Sequence, residues 1–276
     1  MLRKLETFYR NYFPKRIPVY KKYRQTLHNL KGLEIGGPSA AFDKKGYLPI
    51  YDVIVSLDGC NFGAETVWEG KLQEGNNYRY GTKTGHQFIS DGTCLSMIED
   101  GKYDFVLSCH SLEHFANPIK ALKEWERIIR QDGYMILILP HKDQTFDHKR
   151  PLTTLQHLIQ DFEQDMQETD TTHFEEVNRL HDLSKDSGID SIESLIKRTE
   201  DNINNRCVHH HVFNTPLMVQ LCNHFGYQIL DISHFNPFNI ILLVQIKSKG
   251  TADNQKYLNK NHLAFQKTTF PSDKIW

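Results

Sequence analysis

In Leu33-Glu34-Ile35-Gly36-Gly37-Pro38-Ser39 an apolar run carrying one acid stops at two glycines and a proline. Such a run reads as a buried strand feeding a ligand-binding loop. Adjacent glycines admit positive φ and close approach of a ligand, and Glu34 is placed to accept hydrogen bonds from a cationic or hydroxyl-bearing group. Working outward, a second apolar run, Val53-Ile54-Val55-Ser56-Leu57, closes on Asp58. A third, Gln87-Phe88-Ile89-Ser90, closes on Asp91-Gly92-Thr93, and Tyr103 to Cys109 makes a continuous buried fourth. From Gly36 to Asp58 is 22 residues, close to the interval of about 20 at which an acid ending the second strand receives the hydroxyls of a ribose. Gly46 and Pro49 leave room for only a short or irregular helix between these strands.

After the fourth strand, Asn117-Pro118 sets an N-cap with proline at the first helical position. Ile119, Leu122, Trp125, Ile128 and Ile129 then recur at helical spacing, Gly133 ends the helix, and Tyr134 to Leu139 makes a fifth strand closed by Pro140. Near the C-terminus Asn214-Thr215-Pro216 caps a helix ended by Gly226. The runs Tyr227 to Phe235 and Phe238 to Ile246 follow, too close together to be anything but antiparallel. Residues 59 to 86 hold six glycines and no sustained period, so they read as a loop-rich connection.

The order of these segments, with Leu112-Glu113-His114-x-x-Asn117-Pro118 between strand and helix, resembles a class I S-adenosylmethionine-dependent methyltransferase of the type 11 kind. The resemblance covers about residues 31 to 140 and 212 to 247. It implies a Rossmann-like, doubly wound α/β sheet, mostly parallel with a C-terminal antiparallel hairpin, plus a helical insertion at 141–211. It further implies that Glu34, Gly36, Gly37, Pro38, Asp58, Asp91, Gly92, Thr93, Ser108, Cys109 and His110 surround S-adenosylmethionine, with Asp91 near the adenine amino group. A plain turn-capping role for Asp91 is the alternative. The usual motif is acid-x-Gly-x-Gly-x-Gly, whereas this chain has Pro38 and Ala40 at the second and third glycines. That departure weakens a dinucleotide reading more, since a pyrophosphate needs Gly-x-Gly-x-x-Gly. An NAD(P)-dependent Rossmann enzyme and an inactive S-adenosylmethionine-binding module are the rival readings.

With 276 residues the chain can hold one elaborated domain, and its net charge of −1 hides an uneven distribution. Residues 1 to 31 carry nine basic side chains against Glu6 alone, interleaved with Phe8, Tyr9, Tyr12, Phe13, Tyr20 and Tyr23. This arm, residues 1–30 and broken by Pro14 and Pro18, suits either packing on the acidic body or peripheral contact with an anionic membrane surface. No broad basic face outside it points to nucleic acid. Five cysteines, without C-x-x-C spacing, indicate neither a disulfide framework nor a cysteine zinc site. With no signal-peptide core or apolar run of membrane-spanning length, the expectation is a cytoplasmic protein. The tail, residues 248–276, is polar with isolated aromatics and reads as a docked or free extension.

Fifteen histidines are the other oddity, and many fall in the insertion, where caps at Thr153 or Thr154, Thr172 and Ser191 predict three helices. Methyl transfer from a sulfonium needs alignment, exclusion of water and, for a hydroxyl acceptor, a base. Candidates for that chemistry are His141, Asp147, His148, His181 and His210. A sharper version is a divalent metal site drawn from Asp147, His148, His181, Asp182, His209 and His211, although any lone histidine is more often structural. Lys142, Lys149, Arg150 and Arg206 add positive charge for an anionic acceptor. Among aromatics other than histidine the insertion holds only Phe146, Phe162 and Phe174, so a polar acceptor is expected, such as a sugar or phosphorylated glycan precursor.

Overall fold

The computed structural model describes residues 15–247, 250 and 252–275. Helix α1 (Tyr20–Leu27) precedes β1 (Lys31–Ile35), β2 (Ser56–Asn61), the small hairpin β3 (Glu65–Thr66) and β4 (Gly70–Lys71), then β5 (Gly75–Tyr80), β6 (Lys83–Ile89) and β7 (Tyr103–Cys109). After these come α2 (Pro118–Ile128) and β8 (Ile129–Pro140). The insertion helices are α3 (Leu155–Glu163), α4 (Phe174–Leu180), α5 (Ile192–Glu200) and α6 (Asn202–Asn205), and α7 (Thr215–Phe225), β9 (Gln228–Phe235) and β10 (Asn239–Gln245) close the sheet.

Eight strands form one sheet in the order β5-β6-β2-β1-β7-β8-β10-β9. Strands β6, β2, β1, β7 and β8 pair in parallel, while β10 is antiparallel to both β8 and β9. The chain moves outward from β1 to β2 and β6, then returns to the other side of β1 for β7 and β8. That reversal opens a crevice at the carboxyl ends of β1 and β7, where such sheets bind ligands. Both faces are buried, so successive residues of one strand enter different cores. Leu33 and Val106 pack with Leu122, Trp125 and Leu217 of α2 and α7, whereas Phe105, Leu107, Ile136 and Ile241 pack with Tyr23, Leu27, Phe42 and Ile50. The caps act as expected: Asn117 accepts from the Lys120 amide, Asn214 from the Leu217 amide, and Gly226 ends α7 at φ +73°.

Four sequence expectations are corrected here. Helix α2 ends at Ile128 rather than at Gly133, and Ile129 and Gly133 already belong to β8. The second strand starts at Ser56 rather than Val53, because Val53 and Val55 are engaged in turn hydrogen bonds with Asn29 and Leu30 and pairing with β1 carries the chain on to Asn61. Asp58 therefore sits mid-strand opposite Leu33. The supposed loop of 59–86 contains the β3–β4 hairpin and the edge strand β5, whose inward Tyr78 and Tyr80 are separated by Arg79 in a run otherwise rich in glycine and asparagine. The third insertion helix is interrupted at Asp201. No helix forms between β1 and β2, in line with Gly46 and Pro49.

The described part of the N-terminal arm is packed. Tyr23 donates to Asp231 at 2.9 Å, Lys22 to the Leu230 carbonyl at 2.7 Å, and Arg24 pairs with Asp52. Residues 1–14, which carry three of the nine basic side chains and the aromatics Phe8, Tyr9, Tyr12 and Phe13 of the expected membrane-contacting arm, lie outside the described residues. The C-terminal extension is docked: Phe270 stacks on His141, and fully buried Asp273 accepts from Thr215 and meets His141 Nε2 at 2.9 Å. Among the described residues no helix is long and apolar enough to cross a membrane.

Candidate functional site

A cleft of about 730 Å³ opens over the carboxyl ends of β1, β2, β6 and β7, roofed by the insertion and by the tip of the β3–β4 hairpin. Gly36 takes φ +74° as the chain leaves β1, and Gly36, Pro38 and Ser39 line the cleft. Glu34 does not reach it. Fully buried beneath the loop, it accepts from Tyr51 and Tyr78, both at 2.7 Å, and from the Ser39 amide at 3.0 Å. Burial pushes its carboxyl pKa up, and these hydrogen bonds only partly offset the shift. Glu34 thus shapes the loop from below. Gly37 is held in the same cluster, away from the lining, and the Gly37-Pro38 bond is cis.

Asp58 is likewise outside the cleft. Its carboxylate accepts from the His86 amide at 2.8 Å and the Tyr103 hydroxyl at 2.7 Å, so the ribose-binding expectation is corrected. Asn61 and Phe62 occupy the end of β2 and line the cleft, with Asn61 donating to the Gly37 carbonyl. Asp91 and Gly92 also line it. One Asp91 oxygen accepts from Thr93, which itself stands back, and the other meets Arg206 at 3.1 Å. Cys109 and His110 face the cleft while Ser108 is buried within β7. Burial raises the Cys109 thiol pKa and lowers that of His110 to about 4, leaving a neutral ring bonded to Asn239.

At the far end of the cleft the tight turn after β7 presents Glu113 and His114, anchored by Ser111 donating to the Ile35 carbonyl. His209, from the segment leaving the insertion, meets them. Ligand atoms of Glu113, His114 and His209 lie within 4.8 Å of one another. His114 Nδ1 faces the Val208 carbonyl at 3.2 Å and His209 Nδ1 faces Asp147 at 2.5 Å, so both rings leave Nε2 for the cleft. Both Glu113 oxygens are buried without a hydrogen-bond partner. Burial moves the Glu113 pKa up to about 7 and drives His114 well below its usual range, an effect the His209 charge adds to. Burial also works against a charge on His209, but the adjacent Asp147 outweighs it and the net shift is upward.

The other chemical candidates lie elsewhere. His141 is buried against Asp273; His148 pairs with Asp182 at 2.7 Å; His181 stacks on Phe146 and bonds Asp186; His210 faces Asn202 and Asp170. None of the four lines the cleft, which corrects their placement as catalytic residues. Asp147 stands behind His209, held at 3.0 Å by Arg150, and these two partners hold its carboxyl down to about 2 against the effect of burial. The proposed six-residue metal set is not assembled. Its members divide among Glu113 and His114 (Asp147, His209), a separate pair (His148, Asp182), lone His181, and a cluster with His157 and His173 (His211). Arg150 is likewise a buried strut, while Lys185 lines the cleft beside Arg198 and Arg206, which are paired with Asp186 and with Asp91 and Glu168. The Leu112-Glu113-His114 motif contained the signal for two residues that sequence reasoning passed over. Asn61, Phe62 and Trp68 had no comparable mark.

A family model described as a methyltransferase domain matches residues 72–137, from just before β5 into β8, including Asp91, Glu113 and His114. The chain carries a class I S-adenosylmethionine-dependent methyltransferase domain. S-adenosylmethionine is its cofactor. Solved structures similar to this methyltransferase include an S-adenosylmethionine-dependent methyltransferase from Methanosarcina mazei (14% identity, 85% of this chain and 100% of the other, TM-score 0.46). Another is from Mesorhizobium loti (12% identity, 83% and 96%, TM-score 0.47). A search of curated proteins with the sequence found no match. For the cofactor, the glycine-turned loop at Gly36, the Asn61-Phe62 strand end and Asp91 offer a backbone cradle, polar groups and an aromatic face in one crevice, a donor set that suits a nucleoside carrying a charged chain.

Proposed function

We propose that this methyltransferase transfers the methyl group of S-adenosylmethionine to a hydroxyl of a polar small molecule, a sugar or phosphorylated glycan precursor, and that Glu113, His114 and His209 hold a divalent cation which receives that hydroxyl. The observation that carries the reading is the buried Glu113 carboxylate, left without any donor and faced by two imidazoles whose Nδ1 positions are turned to other partners. A cation there would satisfy the carboxylate and take the place of ring protons. Two imidazoles and one carboxylate with an open side fit a first-row transition ion that keeps positions for a substrate. Asp147 on His209 and the Val208 carbonyl on His114 would orient the ligands from behind.

Such an ion, held by Glu113, His114 and His209, would lower the pKa of an acceptor hydroxyl so that its proton could pass to solvent. The oxygen then forms a bond to the methyl carbon as the carbon–sulfur bond breaks, and the electron pair stays on sulfur. Lys185 favours an anionic acceptor, Arg198 and Arg206 being already paired with Asp186 and with Asp91 and Glu168, and Val67 and Trp68, exposed at the hairpin tip, would cover its less polar face.

The test is turnover on a panel of sugars and sugar phosphates by protein stripped of metal and then given manganese, cobalt, zinc or magnesium. Restoration by a transition ion, and loss of turnover in Glu113→Gln with S-adenosylmethionine affinity kept, is the expected result. Full turnover by the stripped protein, or transfer to nitrogen or carbon only, rejects the reading.

A further inference from the structure

A second group of imidazoles lies outside the cleft, in the body of the insertion. His157 and Asp161 stand one helical turn apart on α3, so their side chains share a face. His157 Nε2 is 3.4 Å from Asp161 Oδ2 and 3.3 Å from His173 Nε2, at the start of α4. His211 Nε2, from the segment leading into α7, is 2.8 Å from the same Asp161 oxygen. Ring nitrogens of the three histidines lie within 4.8 Å of one another, and none of the four residues lines the cleft.

Hydrogen bonding alone serves this arrangement poorly. A neutral imidazole has one N–H. His211 Nδ1 faces the Phe115 carbonyl at 3.2 Å, and a hydrogen placed there leaves a lone pair on Nε2 directed at a carboxylate. The His157–His173 and His157–Asp161 separations of 3.3 and 3.4 Å are those of a coordination shell, because a tetrahedron with arms of about 2.0–2.1 Å has edges of about 3.3 Å, and the 2.8 Å from His211 to Asp161 would lengthen slightly around an ion. We infer that His157, Asp161, His173 and His211 bind a zinc ion that ties the insertion helix α3 to the start of α4 and to the segment leaving the insertion for α7. Three imidazoles with an adjoining carboxylate favour zinc among the common divalent ions. With four protein ligands the site is closed, which marks a structural ion rather than a catalytic one. The Phe115 carbonyl orients the His211 ring from behind, as partners of metal-bound histidines do.

The position gives the ion a task. The segment between Asp161 and His173 carries Glu168, which pairs with Arg206 in the wall of the cleft. Zinc would therefore hold that wall through the turn at its back. The site shares no residue with Glu113, His114 and His209, so it stands or falls separately from the function proposed above.

The full-length protein, purified without added metal and dialysed against a weak chelator, should retain one zinc per chain by elemental analysis. Glu113→Gln should retain it, and His173→Ala and Asp161→Asn should lose it. Replacement by cobalt in the wild type, which needs no variant to fold, should give the intense visible absorption of a tetrahedral ion, removed by zinc. Protein that keeps no zinc, a faint octahedral cobalt spectrum, or zinc that persists in His173→Ala but leaves Glu113→Gln would each overturn the site.

Discussion

Arg206 of the insertion meets Asp91 at the end of β6 at 3.1 Å, its guanidinium centre 5.5 Å from the Phe62 ring at the end of β2. The same side chain pairs with Glu168, whose carboxyl burial pushes up despite this cation. Two carboxylates from different parts of the chain thus converge on one arginine in the cleft wall. Arg206→Ala leaves Glu168 buried beside Asp91 without compensation, at an expected cost of about 2 kcal/mol. Glu168→Gln in the same chain should recover much of that loss. Urea unfolding of the two single variants and the double variant measures the coupling; strictly additive losses would show that the pair is energetically idle.

Asn61 and Asp58 are expected to exchange the roles that spacing alone assigns. Asn61→Ala should weaken S-adenosylmethionine binding by about 1 kcal/mol, the scale of one hydrogen bond, since it lines the cleft and also steadies the Gly37 carbonyl. Asp58→Ala should lower thermal stability, because Tyr103 and the His86 amide lose their acceptor, and leave cofactor affinity alone. Calorimetric titration of both variants decides; a large affinity loss only in Asp58→Ala reverses the assignment.

Gly59 transmits the packing of β2 to the loop above. A Cβ there would stand 2.1 Å from the Tyr78 ring, whose hydroxyl donates to Glu34. Gly59→Ala should therefore displace Tyr78, cost about 1–3 kcal/mol by overpacking, and weaken cofactor binding although Gly59 is not in the lining. Unchanged stability and affinity would mean that Tyr78 can move aside freely.

Acid should release the C-terminal extension. Asp273 is buried, which by itself raises a carboxyl pKa, but hydrogen bonds from His141 and Thr215 reverse this and the net shift is downward. A depressed folded-state pKa gives stability that is present above the unfolded value, about 3.9, and lost as pH falls through the folded one. Melting temperature should thus drop more steeply below about pH 4 in the wild type than in Asp273→Asn, which starts lower and lacks this proton. Parallel curves for the two proteins would remove Asp273 from the account.

The sequence by itself determined the order of the central strands and their helices, though not the β3–β4 hairpin or the edge strand β5. Val106 and Leu107 enter opposite cores, so a continuous apolar run announces a strand buried on both faces, and Asn117-Pro118 and Asn214-Thr215-Pro216 set their helices by local hydrogen bonds that any tertiary setting would keep. The antiparallel β9–β10 pair followed from a connection too short for a crossover. Tertiary structure alone decided which polar side chains meet. Asp58 looked terminal because the apolar run stopped there, yet pairing with β1 carried the strand on to Asn61 through small and polar residues. His209, His210 and His211 are consecutive, and each goes to a different partner set: the cleft with Glu113, Asn202 with Asp170, and Asp161 with His157 and His173. Composition could mark the insertion as dense in imidazoles. Which of them share a point in space depends on how α3, α4 and the turn after β7 pack, and that packing is fixed by contacts between residues many tens of positions apart, where local periodicity carries no information.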